Sequence, residues 1–188
     1  MASLKDLQSR ALRELVGTRS MGTASINLQD GTATYDVVGE PDGLVLLSIA
    51  GAAKTVATGA DKALATVAAL QNPITGYDAY YDQPINTTVY YVCCCNAAGD
   101  FKVIQGTYED QVLGGSLARG PRGTGDIPDI VVPDTYAPIA VFKVVNGATA
   151  VFVPGTTNWN ATNVVAYAAP VCVLPKSAAD LTFTEGGA

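Results

Sequence analysis

The sequence predicts a mainly β protein: an antiparallel β-sandwich or barrel-like domain carrying a short N-terminal α-helix. Three observations predict it. Residues 88–95 string together β-branched, aromatic and small apolar side chains, the types that suit a pleated, covered surface. Ala24, Ile26 and Leu28 alternate with polar residues at period two, as a half-buried strand does. Asn146-Gly147 lies between the apolar runs 139–145 and 149–153, a strong short-range hairpin signal.

Taken in order, residues 3–16 read as a helix. Ser3 and Asp6 make a capping-box-like start, Leu4, Leu7, Ala11 and Leu15 form a narrow apolar stripe with Leu12 beside it, and Gly17 ends it. An isolated helix this short is marginal in water. It either docks on its own domain or serves as an arm on symmetry mates or a neighbouring protein, with Leu4, Leu7, Arg10, Arg13 and Leu15 as its contact candidates. Residues 24–28 and 32–38 then pair as strands across the turn at Gln29-Asp30-Gly31, and residues 44–49 and 55–57 add two more. Residues 60–70 are ambiguous, since alanine favours a helix but the stretch lies between strands.

Residues 72–86 form a tyrosine-rich loop holding Tyr77, Tyr80 and Tyr81. Clustered loop tyrosines suit an interface, because they bury much area at small entropic cost, and they equally suit packing over a sheet edge. Residues 87–107 form the central hairpin. Its first arm directs Val89, Tyr91, Cys93 and Cys95 to one face and Tyr90, Val92 and Cys94 to the other. Both faces are apolar, so the arm is expected to be covered on both sides. Gly99 is expected to take a positive φ in the turn. Residues 114–135, rich in Gly and Pro, read as an extended loop, locally basic through Arg119 and Arg122. Residues 165–174 form a last strand with Pro170 at an edge or bulge, and the tail is expected to be mobile unless a partner holds it. The domain plan is an arm over residues 1–18, a β domain over 19–174 with the 114–135 loop inside it, and a polar tail over 175–188. A faint echo between residues 49–59 and 145–155 suggests a duplicated β unit.

The 188 residues suit one core. Charged residues make up 15% of the chain, against roughly 25% in soluble domains, which points to surface covered by a partner. The net charge of −6 and isoelectric point near 4.4 argue against a nucleic-acid partner, which needs a basic stripe. No apolar run reaches the ~18–20 residues that span a bilayer, and the charged, amphipathic first stretch is no secretory signal. Synthesis in the cytosol, with no membrane partner, is the expectation.

Chemistry is hard to place. The chain contains no histidine, which removes Ser-His-Asp and Cys-His arrangements and imidazole zinc sites. Cys93, Cys94 and Cys95 are consecutive and lack metal-ligand spacing, so they read as small buried hydrophobes in a reducing compartment. A Cys95–Cys172 bridge is left open, with nothing in the sequence to support it. Asp78, Asp82, Asp100, Glu109 and Asp110 lie near loops and are read as solvated charge. No cofactor, metal or catalytic residue is expected.

Three segments carry a family resemblance: YYVCCCNAAGDFKVIQGT at 90–107, APIAVFKV at 137–144 and PGTTNWNATNV at 154–164. In this order they resemble a group of tailed-bacteriophage virion proteins described as capsid decoration, cement or head-fibre proteins. The likeness covers roughly residues 35–173 and leaves out the N-terminal helix, while the tyrosine-rich loop and the cysteine triplet look particular to this chain. The resemblance implies a β-rich, often homotrimeric, non-enzymatic protein, made in the bacterial cytoplasm. It implies a place on the outer capsid surface, with the major capsid protein as partner. Two rival readings stand beside it. One is a receptor- or carbohydrate-binding fibre protein stacking sugars on Tyr77, Tyr80, Tyr81 and Trp159; the other is a tail-tube or connector component.

Overall fold

The computed structural model describes residues 19–20, 24–29, 32–39, 43–63, 82–110, 118–119, 130, 132–175 and 177–186. The predicted helix at residues 3–16, with Leu4, Leu7, Arg10, Arg13 and Leu15, lies outside the described residues. So do Tyr77, Tyr80, Tyr81 and Arg122.

The described chain is mainly β. Its strands are β1 (Arg19–Ser20), β2 (Ala24–Leu28), β3 (Thr34–Gly39), β4 (Leu44–Ile49), β5 (Ala52–Ala57), β6 (Gly59–Ala63), β7 (Thr87–Asn96), β8 (Phe101–Asp110), β9 (Ala118–Arg119), β10 (Tyr136–Asn146), β11 (Val164–Pro170) and β12 (Thr184–Gly186). They form a six-stranded sheet ordered β12-β11-β10-β7-β8-β9 and two three-stranded sheets, β1-β4-β5 and β2-β3-β6. Every pairing is antiparallel. Among the described residues no sheet closes on itself, so of the two expected architectures the structure takes the sandwich.

The predicted central hairpin is β7–β8, and its return arm runs further than expected, to Asp110. Alternation sorts its residues as the pleat requires. Val89, Tyr91, Cys93 and Cys95 join one core with Tyr35 and Val37 of β3, Val45 and Leu47 of β4, and Phe142 of β10. Val92 and Cys94 join a second core with Ile104, Val141, Ile130 and Val171. The six-stranded sheet is therefore a middle layer. Two small sheets cover one face, and the chain's own segments around residues 130–136 and 171–183 cover the other.

Several expectations are corrected by how the chain meets its backbone hydrogen-bond demand. Asn146-Gly147 does not turn a hairpin. β10 runs through Asn146 and pairs with β11, Asn146 lying opposite Val164, and residues 147–163 form a long connection. The residues expected as a return strand supply only an isolated bridge between Phe152 and Gln83. The two-residue turn occurs instead at Ala50-Gly51, where φ values of 49° and 83° fit a type I′ turn between Ile49 and Ala52. The echo between these two regions is thus not a repeated structure.

Gly99 does adopt a positive φ, of 91°. Residues 59–63 are strand rather than helix, because β6 pairs with β3; residues 64–70 lie outside the described residues. Within the Gly/Pro-rich loop, Ala118–Arg119 pair with β8, and Ile130 and Val132 pack on the second core. Pro138 sits inside β10, where a register shift between Pro138 and Ala140 accommodates its missing N–H.

The tail is held by its own chain. A single 3₁₀ turn, Ala178–Asp180, and β12 dock on the sheet, with Leu181 and Phe183 on the second core. Lys143 Nζ lies 5.5 Å from the Tyr167 ring centroid and 6.0 Å from that of Phe183, pinning the segment by cation–π contact.

Candidate interaction surface

The cysteine triplet is the first place to look for chemistry, and its surroundings make it inert. Cys93, Cys94 and Cys95 are fully buried and all four cysteines are free, so no Cys95–Cys172 bridge forms; Cys172 is exposed. Burial pushes the Cys93 thiol up to about 12, partly opposed by its hydrogen bond to Tyr35 Oη at 3.6 Å. Burial likewise raises Cys94 well above its ordinary value, and takes Cys95 to about 12 with the Asp100 charge adding to the effect. A thiol that stays protonated is neither a nucleophile nor a metal ligand at neutral pH. Among the described residues no group of three or more His, Cys, Asp or Glu converges on one point, and no helix is long and apolar enough to cross a membrane.

The feature that stands out is one end of the six-stranded sheet, where β7 begins, β10 ends and β11 begins. Residues 82–86 and 147–163 meet there, and their meeting is built from the inside. Gln83 and Phe152 exchange backbone hydrogen bonds of 2.8 and 3.0 Å. The buried Gln83 amide then donates to the carbonyls of Thr87 and Val144, at 3.0 Å each. Asn146 Nδ2 donates to Pro84 O and Ala150 O, both at 2.9 Å, so its side chain ties both loops to the end of β10. Gly147 N donates to Asn163 O at 2.7 Å and closes the base of the long connection.

Trp159 is the second anchor. Only 1% exposed, it stacks on Phe152 with centroids 5.9 Å apart, touches Phe142 at 6.0 Å, and donates Nε1–H to Thr34 O at 2.7 Å. The expected role of Trp159 as a sugar-stacking platform is therefore corrected: both its ring and its N–H are spent inside the fold. Its position in a Thr/Asn-rich stretch suggested a surface loop, and the missing factor was the tertiary partner on β3.

With Gln83, Phe152 and Trp159 turned inward, other side chains face out. Ile85 is 44% exposed and Val151 50%, and Ala148, Thr149 and Ala150 beside them are exposed too. From Val144 to Pro175 the sequence contains no charged residue. Sequence reasoning missed this surface, although the charge-free run was there to be read. Asp82 stands at the margin, and β8 ends at the same end of the sheet with Glu109 and Asp110 opposite Thr88 and Thr87. Arg119 lies at the sheet's β9 edge, paired with Tyr108. Protein interfaces are depleted of charge at their centres, so this arrangement suits a contact with another protein. Compared with known protein families, curated proteins and solved structures, the chain matches none.

Proposed function

We propose that this protein is a non-enzymatic virion structural protein, a decoration or cement protein that binds the outer surface of a bacteriophage head and stabilises the shell. The observation that carries the reading is the uncharged connection 147–163 at the loop end, which together with Ile85 presents apolar tips, Ile85 and Val151, held in place by buried anchors. A preordered contact surface loses little conformational freedom on binding. On this reading the major capsid protein is the partner and the working form is a homotrimer, consistent with the resemblance in the β7–β8, β10 and 154–164 segments. The mechanism is mass action: a protein that binds the assembled lattice, but not free subunits, shifts the equilibrium toward the lattice. The carbohydrate-binding alternative loses its strongest member with Trp159 buried.

The test is direct. Recombinant protein added to expanded heads should bind at micromolar concentration or tighter and raise the temperature at which the heads disrupt. Absence of binding at that concentration rejects the proposal.

A further inference from the structure

Asn146-Gly147 is the chain's only Asn-Gly step, and it does not make the tight turn its composition suggests. Two separate packing demands bring these residues together. Asn146 is buried, and its Nδ2 donates to Pro84 O and Ala150 O at 2.9 Å and to Gln83 O at 3.3 Å. All three partners are acceptors, so an ionised carboxylate could not take its place. Gly147 is needed for close approach: a Cβ there would lie 2.7 Å from Asn163 Cβ and 3.0 Å from Asn163 O. Both backbone polar groups of Gly147 are engaged as well. Its N–H donates to Asn163 O at 2.7 Å, and its carbonyl accepts from Asn86 N at 3.0 Å. The pair that meets these demands is also the one in which an asparagine side chain cyclises with least hindrance, because the attacking nitrogen belongs to a residue without a Cβ.

We propose that Asn146-Gly147 is a latent self-modification site, silent while the 147–163 connection is closed and reactive when it opens. In the reaction Gly147 N gives its proton to water and bonds to Asn146 Cγ. The Cγ–Nδ2 bond breaks, and Nδ2 takes up a proton from water and leaves as ammonia. Water then opens the cyclic imide at either carbonyl, leaving aspartate or isoaspartate at position 146. The closed fold opposes the first steps. The proton that must leave is held by Asn163 O, the Asn163 side chain packs over Gly147 and donates to Thr149 Oγ1, and the leaving nitrogen is held by three carbonyls. Local opening of the connection releases these ties together. The change is then one-way. A carboxylate at 146 would face Gln83 O, Pro84 O and Ala150 O from inside the fold, where an unpaired charge is costly. Isoaspartate would also lengthen the backbone where β10 pairs with Thr87 and Val164. The connection holding Val151 could not close as before, so ammonia loss ends the life of this surface. The assignment does not rest on the capsid reading, and its tests use the protein alone.

The experiment follows ammonia release and peptide masses in full-length protein held in mildly alkaline buffer. The same chain unfolded in denaturant should convert at Asn146 faster than at its other asparagines, and by roughly tenfold or more over the folded protein. Equal rates in the folded and unfolded chain would overturn the proposal. Asn163→Gly tolerates the φ of 66° at that position and removes the side chain over Gly147. It should speed conversion at Asn146 by roughly threefold or more, with amide exchange in β7 and β10 unchanged. An unaltered rate in this folded variant would also overturn the proposal. Asn146→Asp installs the product and tests the consequence. Amides of residues 147–163 should then exchange by roughly tenfold or more over the parent, while β7 and β8 stay protected. Parent-like exchange throughout would refute the one-way change.

Discussion

The two ends of the six-stranded sheet share their strands but not their surfaces. At the turn end, β7 and β8 are joined by a short polar loop capped locally. Asn96 Oδ1 accepts from Ala98 N and Asp100 N, both at 2.9 Å, and Asn96 Nδ2 donates to Asp100 Oδ2 at 2.9 Å. These partners lie within a few residues; one longer bond, from Asn96 Nδ2 to Tyr136 Oη at 3.5 Å, reaches β10, and Asp100 and Asp134 are exposed. At the loop end the connections are long, and their anchors reach far along the chain: Gln83 to Val144, Trp159 to Thr34. Local capping finishes a strand pair. Long-range anchoring fixes the shape of a surface, and here that surface has no charge across residues 147–163. The difference separates an end closed mainly by its own turn from one whose surface is set by distant segments.

The largest break in this comparison should come from removing an anchor. Trp159→Ala deletes a buried ring and the indole donor to Thr34 O, which keeps only Gln29 N, so equilibrium denaturation should show a loss of about 3–5 kcal/mol. Binding to heads should fall with it. Cys93→Ser tests the shared layer beneath both ends. It puts a hydroxyl in place of a fully buried thiol and should cost about 1–3 kcal/mol without touching either surface. Smaller in stability, but decisive for function, is the pair Ile85→Asp/Val151→Asp. Both sites are exposed, so stability should change by no more than about 0.5 kcal/mol, while affinity for heads drops at least tenfold. Asp100→Asn at the other end should alter neither.

The thiols supply a pH dependence whose sign follows from their burial. In the unfolded chain they ionise near the ordinary value of 9.0, whereas in the fold Cys93 and Cys95 hold their protons to about 12. The unfolded state therefore binds fewer protons between these values, and stability should be full below pH 9 and fall as pH rises toward 12. A denaturation series over that range should show a shallower fall for Cys93→Ala. An unchanged slope would mean the thiol ionises in the folded protein.

Much of the fold was legible because strand periodicity is a local signal. The alternation in residues 88–95 assigned each side chain of the cysteine triplet to the core it occupies, and the charge-free turn at Ala50-Gly51 aside, the early strands fell close to their places. What failed was contact between distant segments. Asn146-Gly147 has the composition of a tight turn, yet the Asn146 side chain is drawn to Pro84 and Ala150, and Phe152 pairs with Gln83 rather than with β10. The polar tail looked unattached because nothing local shows that Leu181 and Phe183 meet Val92 and Cys94 on the second core. The candidate surface was half legible. Its charge-free run was there to be read, whereas exposing Ile85 and Val151 needed Phe152 and Trp159 to be turned inward first; Tyr77, Tyr80 and Tyr81 lie outside the described residues.

The most direct test is an electron-microscopy map of heads saturated with the protein, resolved well enough to orient the sandwich. The loop end, with Ile85, residues 148–151 and Asp82 at its margin, should meet the shell, and the Ala97–Asp100 turn should face solvent. A map in which the turn end meets the shell, or in which residues 147–163 face solvent, would contradict the account.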